Sequence, residues 1–181
     1  SGNNHYQQRS KMDFLELVSS RYSVRSYQSR PVEQEKLDRV LEAVRLAPSG
    51  SNRQPWRFVV VSDAEIRQRL VPACSGQQFV AQAPVVIAGV GLMPDRKMRC
   101  DIPGDPVDVA IAMEHLALAA AAEGLGTCWI GAFYQDQVRE VLGIPDTVKV
   151  VQMMALGYPA DEPRPKSRKP LGEIVCYNRW S

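Results

Sequence analysis

The spacing of apolar residues predicts alternating helices and buried strands along most of the chain. Phe14, Leu15 and Val18 fall on one side of a helix, which predicts a short amphipathic helix that starts at Met12. Residues 33–46 also carry apolar side chains at helical spacing and predict a second helix. Continuous apolar runs predict strands, because a strand buried on both faces is apolar throughout. These runs lie at residues 58–61, 84–90, 127–130 and 148–156.

The longest apolar segment follows Asp108, which is predicted to be the N-cap of a helix that closes at Gly124. Apart from Glu114 and His115 this helix is apolar almost all round, so we expect it to be buried in a core or in a subunit interface. Further predictions are helices at 63–70 and 135–142, a polar loop at 92–106 and a final extended segment at 173–177. Helices outnumber strands and few βαβ repeats occur, so the expected fold class is α+β, with a mixed central sheet flanked by helices.

Length and composition favour one globular domain over residues 12–181, preceded by a tail or expression remnant at residues 1–11. That start lacks the apolar run of a secretory signal, and no segment reaches the roughly 18 apolar residues that a membrane helix needs. The 22 basic and 20 acidic residues nearly balance, so neither a nucleic-acid nor a membrane partner is expected. Four widely spaced cysteines and two histidines fit no structural zinc pattern, and they indicate reduced thiols in a cytoplasmic protein.

Two polar segments in the first third of the chain carry candidate binding chemistry. The sequence Arg21-Tyr22-Ser23-Val24-Arg25 places two guanidinium groups four residues apart with hydroxyls between them, which suits a phosphate clamp. Taken alone, solvated surface arginines are the commoner interpretation. The loop A-P-S-G-S-N-R-Q-P-W, residues 47–56, offers backbone and side-chain amides to a ligand. An ordinary loop before a core tryptophan is the simpler alternative.

A third segment is the basic, proline-rich tail P-R-P-K-S-R-K-P at residues 163–170. Four cations within six residues are compatible with a tail that only keeps the protein in solution. They are also compatible with closure on a phosphate, since proline lowers the conformational entropy lost on ordering.

Together these segments are more specific than each is alone. In order along the chain they are R-Y-S-V-R, A-P-S-G-S-N-R-Q-P-W, G-L-G-T-C-W-I-G-A-F, L-G-Y-P and P-K-S-R-K-P. From about Met12 to Val175 the chain resembles the FMN-dependent nitroreductase family. The P-S-G form of the second motif also resembles the iodotyrosine deiodinase branch, which the short polar loop at 92–106 disfavours. The resemblance implies an intertwined homodimer with the flavin at the subunit interface.

The resemblance also implies which residues bind the phosphate end of FMN. They are Arg21, Tyr22, Ser23, Lys166 and Arg168. Arg25 corresponds to the cation near the flavin pyrimidine, where a fixed positive charge raises the reduction potential of the flavin. Position 22 departs from the family pattern, since arginine or histidine is common there.

Two further sets of residues are implied for the flavin ring. The positions that reach the flavin bound by the other subunit are Pro48, Ser49 and Asn52. The segment that passes the reactive N5 edge is Trp129, Ile130 and Gly131. Gly50 is a departure, because serine is common at that position.

The expected function is transfer of hydride from NADH or NADPH through FMN to a nitroaromatic, a quinone or a similar electrophile by a ping-pong route. The cofactor carries the hydride chemistry, so the protein supplies position and electrostatics and needs no catalytic His, Cys or paired carboxylate. The alternatives are a flavin-binding storage or redox-sensing protein without turnover and a specialised FMN dehydrogenase or dehalogenase. His115 and Cys128 are expected to be packing residues.

Overall fold

The computed structural model describes residues 13–180, so Met12 and the predicted tail at residues 1–11 lie outside the described residues. The helices are α1 (Phe14–Ser20), α2 (Gln34–Arg45), α3 (Ala64–Ala73), α4 (Phe79–Gln82), α5 (Gly104–Ala122), α6 (Gln135–Leu142) and α7 (Leu171–Ile174). The strands are β1 (Trp56–Val61), β2 (Val85–Gly91), β3 (Gly126–Ile130) and β4 (Lys149–Gly157). All four predicted strands are confirmed, with ends that differ by one or two residues.

The four strands form one sheet in the order β1-β2-β4-β3, which confirms the α+β class. Every pairing between these strands is antiparallel. The expected mixture of strand directions is limited, within residues 13–180, to one isolated parallel bridge between Ser23 and Thr127. The two central strands run in opposite directions, so Val85 lies opposite Leu156 and Gly91 lies opposite Lys149.

Apolar cores lie on both faces of the sheet, because the central strands are apolar on both faces. Every residue of β2 is buried, as its continuous apolar run predicts. Val86 and Ala88 face a core that includes Val24 and Val80, whereas Ile87 faces α2 and α5. A side chain at Gly89 would meet Val109 at 2.8 Å, so this glycine lets α5 pack close to the sheet.

The start of α5 corrects the sequence prediction. The helix begins at Gly104 with Pro103 as its N-cap, so Asp108 is not a cap but lies inside the helix. Pro106 does not prevent this start, since the first turn of a helix needs no hydrogen bond from its backbone nitrogens. The polar loop is therefore shorter than predicted and covers residues 92–103, called the excursion below. Ile111 is exposed, so α5 is not buried on every side in this chain.

Two other elements differ from the predictions. Asp63 caps α3 as expected, accepting the Ile66 N–H at 2.9 Å, but the helix continues beyond residue 70 to Ala73. The predicted extended segment at 173–177 is wrong at its beginning, because Glu173 and Ile174 belong to the one-turn helix α7.

Several large apolar side chains at the two ends of the described chain are exposed. On α1 these are the three residues whose spacing predicted an amphipathic helix: Phe14, Leu15 and Val18. In the C-terminal segment they are Leu171, Ile174, Val175, Tyr177 and Trp180. The amphipathic spacing of α1 is confirmed, but the chain itself does not bury that face. Within residues 13–180 no helix is long and apolar enough to cross a bilayer.

Candidate functional site

The segment 21–25 runs from the end of α1 along the open edge of β3. The N–H of Val24 donates to the carbonyl of Thr127 at 2.9 Å, and the Val24 side chain is fully buried. This apolar anchor in the middle of R-Y-S-V-R holds the polar residues on either side of it at the surface. A second bridge, between Tyr27 and Pro159, joins the same segment to the chain that leaves β4.

Asp161 fastens the basic tail to this segment. Its Oδ2 accepts the backbone N–H of Arg25 at 2.9 Å, and its carbonyl accepts the Tyr22 hydroxyl at 2.8 Å. Burial raises the pKa of that hydroxyl, and the charges of Asp161 and Glu162 raise it further, so Tyr22 remains a donor. Sequence reasoning missed Asp161, because no local pattern marks its contacts. Its partners Arg25 and Tyr22 lie 136 and 139 positions earlier in the chain.

The two segments enclose a cleft of about 410 Å³. The cleft is lined by most of the residues that the resemblance assigns to the phosphate and the pyrimidine of FMN: Tyr22, Ser23, Arg25, Lys166 and Arg168. Asp161, Glu162 and Arg164 line it as well. Arg21 opens instead onto an adjoining cavity of about 220 Å³ that it shares with Tyr22.

Arg21 and Arg168 lie close enough to Lys166 for their charges to repel its ammonium group. Burial lowers the pKa of the Lys166 ammonium, and the charges of Arg21 and Arg168 lower it further. Lys166 donates to the carbonyl of Ser19, and Arg168 donates to that of Ser167 at 2.8 Å, so both bonds go to neutral acceptors. Arg21 has an acidic neighbour, Glu114, with 3.9 Å between Nε and Oε1. A site with net positive charge and guanidinium N–H groups still able to donate hydrogen bonds suits a phosphate group.

The residues predicted for the N5 edge lie at the end of β3. Thr127 directs its carbonyl to Val24 and away from β4, so alternate residues along the strand turn their backbone groups to the same open side. Trp129 therefore presents its N–H at the open edge, and Gly131 is next in that alternation, just beyond the strand. Ile130 pairs with Met153 within the sheet and its side chain is buried, so it serves the core. The Trp129 indole donates to Glu114 at 3.3 Å.

Gly131 is a glycine that the fold of this chain does not require. A Cβ added there would meet no atom within 4 Å, and its backbone does not adopt the left-handed conformation that favours glycine. Close approach of a ligand to the backbone is a standard reason for glycine at such a position.

The loop at residues 48–54 is called the flavin loop below, because the resemblance predicts that it contacts the flavin, and it has a strained backbone. Ser51, Asn52 and Gln54 all have positive φ, between 51° and 53°, a conformation that costs about 1–3 kcal/mol for a residue other than glycine. Hydrogen bonds within the loop support this shape, among them one from the Gln54 N–H to Ser49 Oγ at 2.9 Å and one from the Asn52 N–H to the Ser49 carbonyl at 2.9 Å. Outside the loop, Asp108 Oδ1 accepts the Gly50 N–H at 3.0 Å. Pro48 and Asn52 are exposed, so their side chains face outward from the chain.

Within one chain the flavin loop and the cationic cleft lie at opposite ends of the sheet. The loop leads into Trp56, which pairs with Gly91 at one end of β2, whereas the cleft lies beyond the other end, where Val85 pairs with Leu156. The seven residues of β2 span about 20 Å at roughly 3.3 Å per residue. Of the predicted site residues, the structure therefore groups the cleft and the β3 edge but not Pro48, Ser49 and Asn52.

A buried ion cluster that sequence reasoning missed lies at the flavin-loop end. Arg96 of the excursion forms an ion pair with Asp108, and its Nε lies 3.8 Å from Oδ1 of Asp105. Oδ2 of Asp105 accepts the Met93 N–H at 2.6 Å. The sequence signal was present but misread, since Asp105 and Asp108 flank a proline and one of them resembled a helix cap.

Two residues that the sequence analysis set aside have packing surroundings. His115 Nδ1 lies 3.3 Å from the carbonyl of Ala43, which ties α5 to α2. Cys128 is buried, and burial is the main reason that its thiol pKa is raised, which disfavours the reactive thiolate.

The fold and the cleft define an α+β domain with a cleft rich in cations beside a sheet edge. The family model described as "Nitroreductase family" matches residues 18–90 and 74–158, so the chain belongs to the nitroreductase family. An FMN reductase [NAD(P)H] of Bacillus subtilis is 31% identical in an alignment that covers 87% of this chain and 70% of that protein. An NADH dehydrogenase of Thermus thermophilus is 31% identical in an alignment that covers 92% of this chain and 96% of that protein.

The fold comparison agrees with the sequence comparison. The solved structure of an FMN-dependent nitroreductase from Clostridium difficile R20291 superimposes with a TM-score of 0.81 at 28% identity. The match covers 92% of this chain and 99% of that one. The family to which the motifs pointed is therefore confirmed.

Proposed function

We propose that this protein is an FMN-dependent oxidoreductase that takes hydride from NADH or NADPH and reduces a nitroaromatic, a quinone or a similar planar electrophile by a ping-pong route. The observation that carries the proposal is the position of Lys166 and Arg168 in the cleft, with Arg21 in the adjoining cavity, in a nitroreductase-family fold. Bound FMN would supply the hydride-carrying centre. Relatives named FMN reductase and FMN-dependent nitroreductase support the choice of cofactor.

The residues of this chain would divide the binding of FMN among them. Arg21, Lys166 and Arg168 would neutralise the phosphate, with the Ser23 hydroxyl as a further donor. Tyr22 would hold the tail in place through Asp161. Arg25 is assigned the pyrimidine side, where a fixed cation favours the reduced, anionic ring.

The open edge of β3 would meet the reactive side of the ring. The N–H groups of Trp129 and Gly131 would face it there, and Ile130 would support them from the core. The structure offers no histidine or thiol poised for proton transfer at this edge, in the part of the chain it describes. His115 and Cys128 are both engaged in packing.

The same proposal makes the protein a homodimer that shares its flavin sites. Pro48, Ser49 and Asn52 lie near one end of β2, which is about 20 Å long. The cleft of their own chain lies near the other end, so these residues would complete the site of a second copy. The exposed apolar residues of α1 and of the C-terminal segment, together with Ile111 on α5, provide surface for such an interface. A cytoplasmic location is part of the proposal.

A mixed dimer tests the shared site directly. Arg21→Ala damages the cleft and Asn52→Ala damages the flavin loop, so each homodimer has two damaged sites. In a dimer with one chain of each kind, shared sites would place both changes in one site and leave the other intact. Purified with two different affinity tags, this mixed dimer should hold about one tightly bound FMN, half of the wild-type amount. Sites built within one chain would give a mixed dimer no better than its parents.

The activity is tested on the wild-type protein incubated with FMN and desalted. Retained flavin absorbance that bleaches anaerobically with NADH or NADPH, and returns when a quinone or nitroaromatic is added, is the expected result. Flavin that stays bound but is not reduced by either nucleotide would indicate a storage or sensing protein. A folded protein that retains no flavin would contradict the whole proposal.

A further inference from the structure

The ion cluster at the start of α5 is among the most deeply buried charged groups of the described chain. Asp105 and Asp108 are 2% and 3% exposed, and the side chain of Arg96 is 13% exposed. Two carboxylates face one guanidinium, and Asp108 forms its ion pair through a hydrogen bond from Nη2 of Arg96. Each of the three side chains has at least one charged or hydrogen-bonded partner, although Nε of Arg96 and Oδ1 of Asp105 make no hydrogen bond.

Asp108 joins two separate loops through its two oxygens. Oδ1 accepts the N–H of Gly50 in the flavin loop at 3.0 Å, and Oδ2 accepts from Arg96 in the excursion. Asp105 adds a second link to the excursion through the Met93 N–H at 2.6 Å. Both loops are therefore attached to the first two turns of α5.

The surrounding backbone leaves room for the cluster and for little else. A Cβ at Gly91 would come within 2.7 Å of Asp105, and one at Gly104 would overlap the guanidinium of Arg96. The N–H of Gly104 also donates to the carbonyl of Arg96 at 3.0 Å, which fixes the excursion at its far end. The backbone of Arg96 is thus held by Gly104 and its side chain packs against the same residue, in addition to the ion pair with Asp108.

We infer that Asp108 is a positioning residue for the flavin loop, and that through Asp108 the flavin loop and the excursion are held as one unit. This inference rests on the proposed function, in which the flavin loop reaches the flavin of the partner subunit. The loop contains three residues with positive φ, so it needs fixed attachments to keep its shape. Gly50 immediately precedes two of those residues, and its bond to Asp108 is the attachment to the body of the domain.

The first test compares Asp108→Ala with Asp108→Asn in the full-length dimer. Alanine removes both attachments and should raise the FMN dissociation constant about tenfold. Asparagine keeps an oxygen that can accept the Gly50 N–H, so it should recover affinity to within about threefold of wild type. Asp63→Ala is the matched control, because Asp63 also accepts a backbone N–H but caps α3, away from both loops.

The second test needs no flavin. Arg53 in the flavin loop and Arg99 in the excursion are both exposed, and each is a site for trypsin. In flavin-free Asp108→Ala, cleavage at both sites should accelerate together by about fivefold, because each loop loses a bond to Asp108, although the excursion keeps its bonds to Asp105 and Gly104. Asp63→Ala should leave the ratio of these two cleavages to the cleavages elsewhere unchanged.

The outcomes separate this inference from the proposed function. Wild-type protein that retains no FMN overturns the function, while the trypsin comparison still decides whether the loops are coupled. Cleavage that accelerates at only one loop in Asp108→Ala overturns the coupling. Wild-type retention of FMN with an unchanged dissociation constant in Asp108→Ala overturns the positioning role.

Discussion

The backbone N–H of Arg25 donates to Oδ2 of Asp161 at 2.9 Å, although 136 positions of sequence separate the two residues. This bond, with the one from the Tyr22 hydroxyl to the Asp161 carbonyl, brings the basic tail alongside the segment 21–25. The N–H of Ala160 also donates to the carbonyl of Ser26 at 2.8 Å, so the chain is attached on both sides of this point. An acidic residue, Asp161, thus helps to position the cleft, and basic residues such as Lys166 and Arg168 give it positive charge.

Asp161→Ala is expected to weaken FMN binding about tenfold, because the Arg25 N–H loses its charged acceptor and the tail keeps only the bond from the Tyr22 hydroxyl to the backbone carbonyl at position 161. Fluorescence titration of FMN into flavin-free protein measures the change. Glu162→Ala is the matched control, since it removes a negative charge from the same cleft and leaves both Asp161 bonds in place. If Asp161→Ala bound FMN as well as Glu162→Ala does, the tail would not depend on this anchor.

Arg21→Ala and Arg168→Ala should each weaken FMN binding by about 1.5–3 kcal/mol, as expected for loss of a charge-assisted hydrogen bond to phosphate. Riboflavin, which lacks the phosphate, should bind both variants as it binds the wild type. Lys169→Ala removes a cation of the same tail that does not line the cleft, and it should have little effect. An equal loss for FMN and riboflavin would place these arginines elsewhere on the ligand.

Gly131→Ala separates a ligand contact from a folding requirement. The added methyl group meets no atom of the chain, so the free energy of unfolding should stay within about 0.5 kcal/mol of wild type. FMN affinity should fall about tenfold, because the methyl group would hold the ring away from the backbone. Calorimetry and flavin titration measure the two effects.

Gly143→Ala is the converse control. Gly143 ends α6 with a φ of 65°, so alanine there should cost about 1 kcal/mol of stability while FMN affinity stays the same. Normal FMN binding by Gly131→Ala would exclude close approach of the flavin at this end of β3.

The pH dependence of FMN affinity should reflect Lys166. Its pKa is lowered from an ordinary 10.5, so the flavin-free protein loses this charge at a lower pH than a solvated lysine would. A bound phosphate favours the charged form, so binding takes up a proton there, and affinity should fall as pH rises through that range. Folding without flavin has the opposite pH dependence, because the charged form of Lys166 is less favourable in the folded protein than in the unfolded chain. The free energy of unfolding of the flavin-free protein should therefore rise as the pH rises through this range.

Lys166→Met should remove most of the alkaline decline in FMN affinity, and Lys169→Met should retain it. Isothermal titrations in two buffers of different ionisation enthalpy would count the protons taken up. A decline of equal size in both variants would assign the titration to another group.

Local patterns predicted the strands, most of the helices and the cationic residues, because each depends on residues close together in sequence. Asp161 and Asp108 were missed or misread because their partners, Arg25 and Gly50, are 136 and 58 positions away. Asp108 suggested a later helix start than the true one, although Pro106 is compatible with the first turn of a helix. The spacing of Phe14 and Leu15 predicted an apolar face but carried no information on what would cover it.

The length of β2, which keeps the flavin loop away from the cleft of its own chain, has a consequence for how the protein would acquire its cofactor. If each site is completed by a second copy, FMN binds the dimer far better than the single chain, and the two equilibria are linked. Flavin retention would then depend on protein concentration, and dilution would release cofactor and subunits together. FMN binding would then strengthen dimerisation by the same factor by which dimerisation strengthens FMN binding.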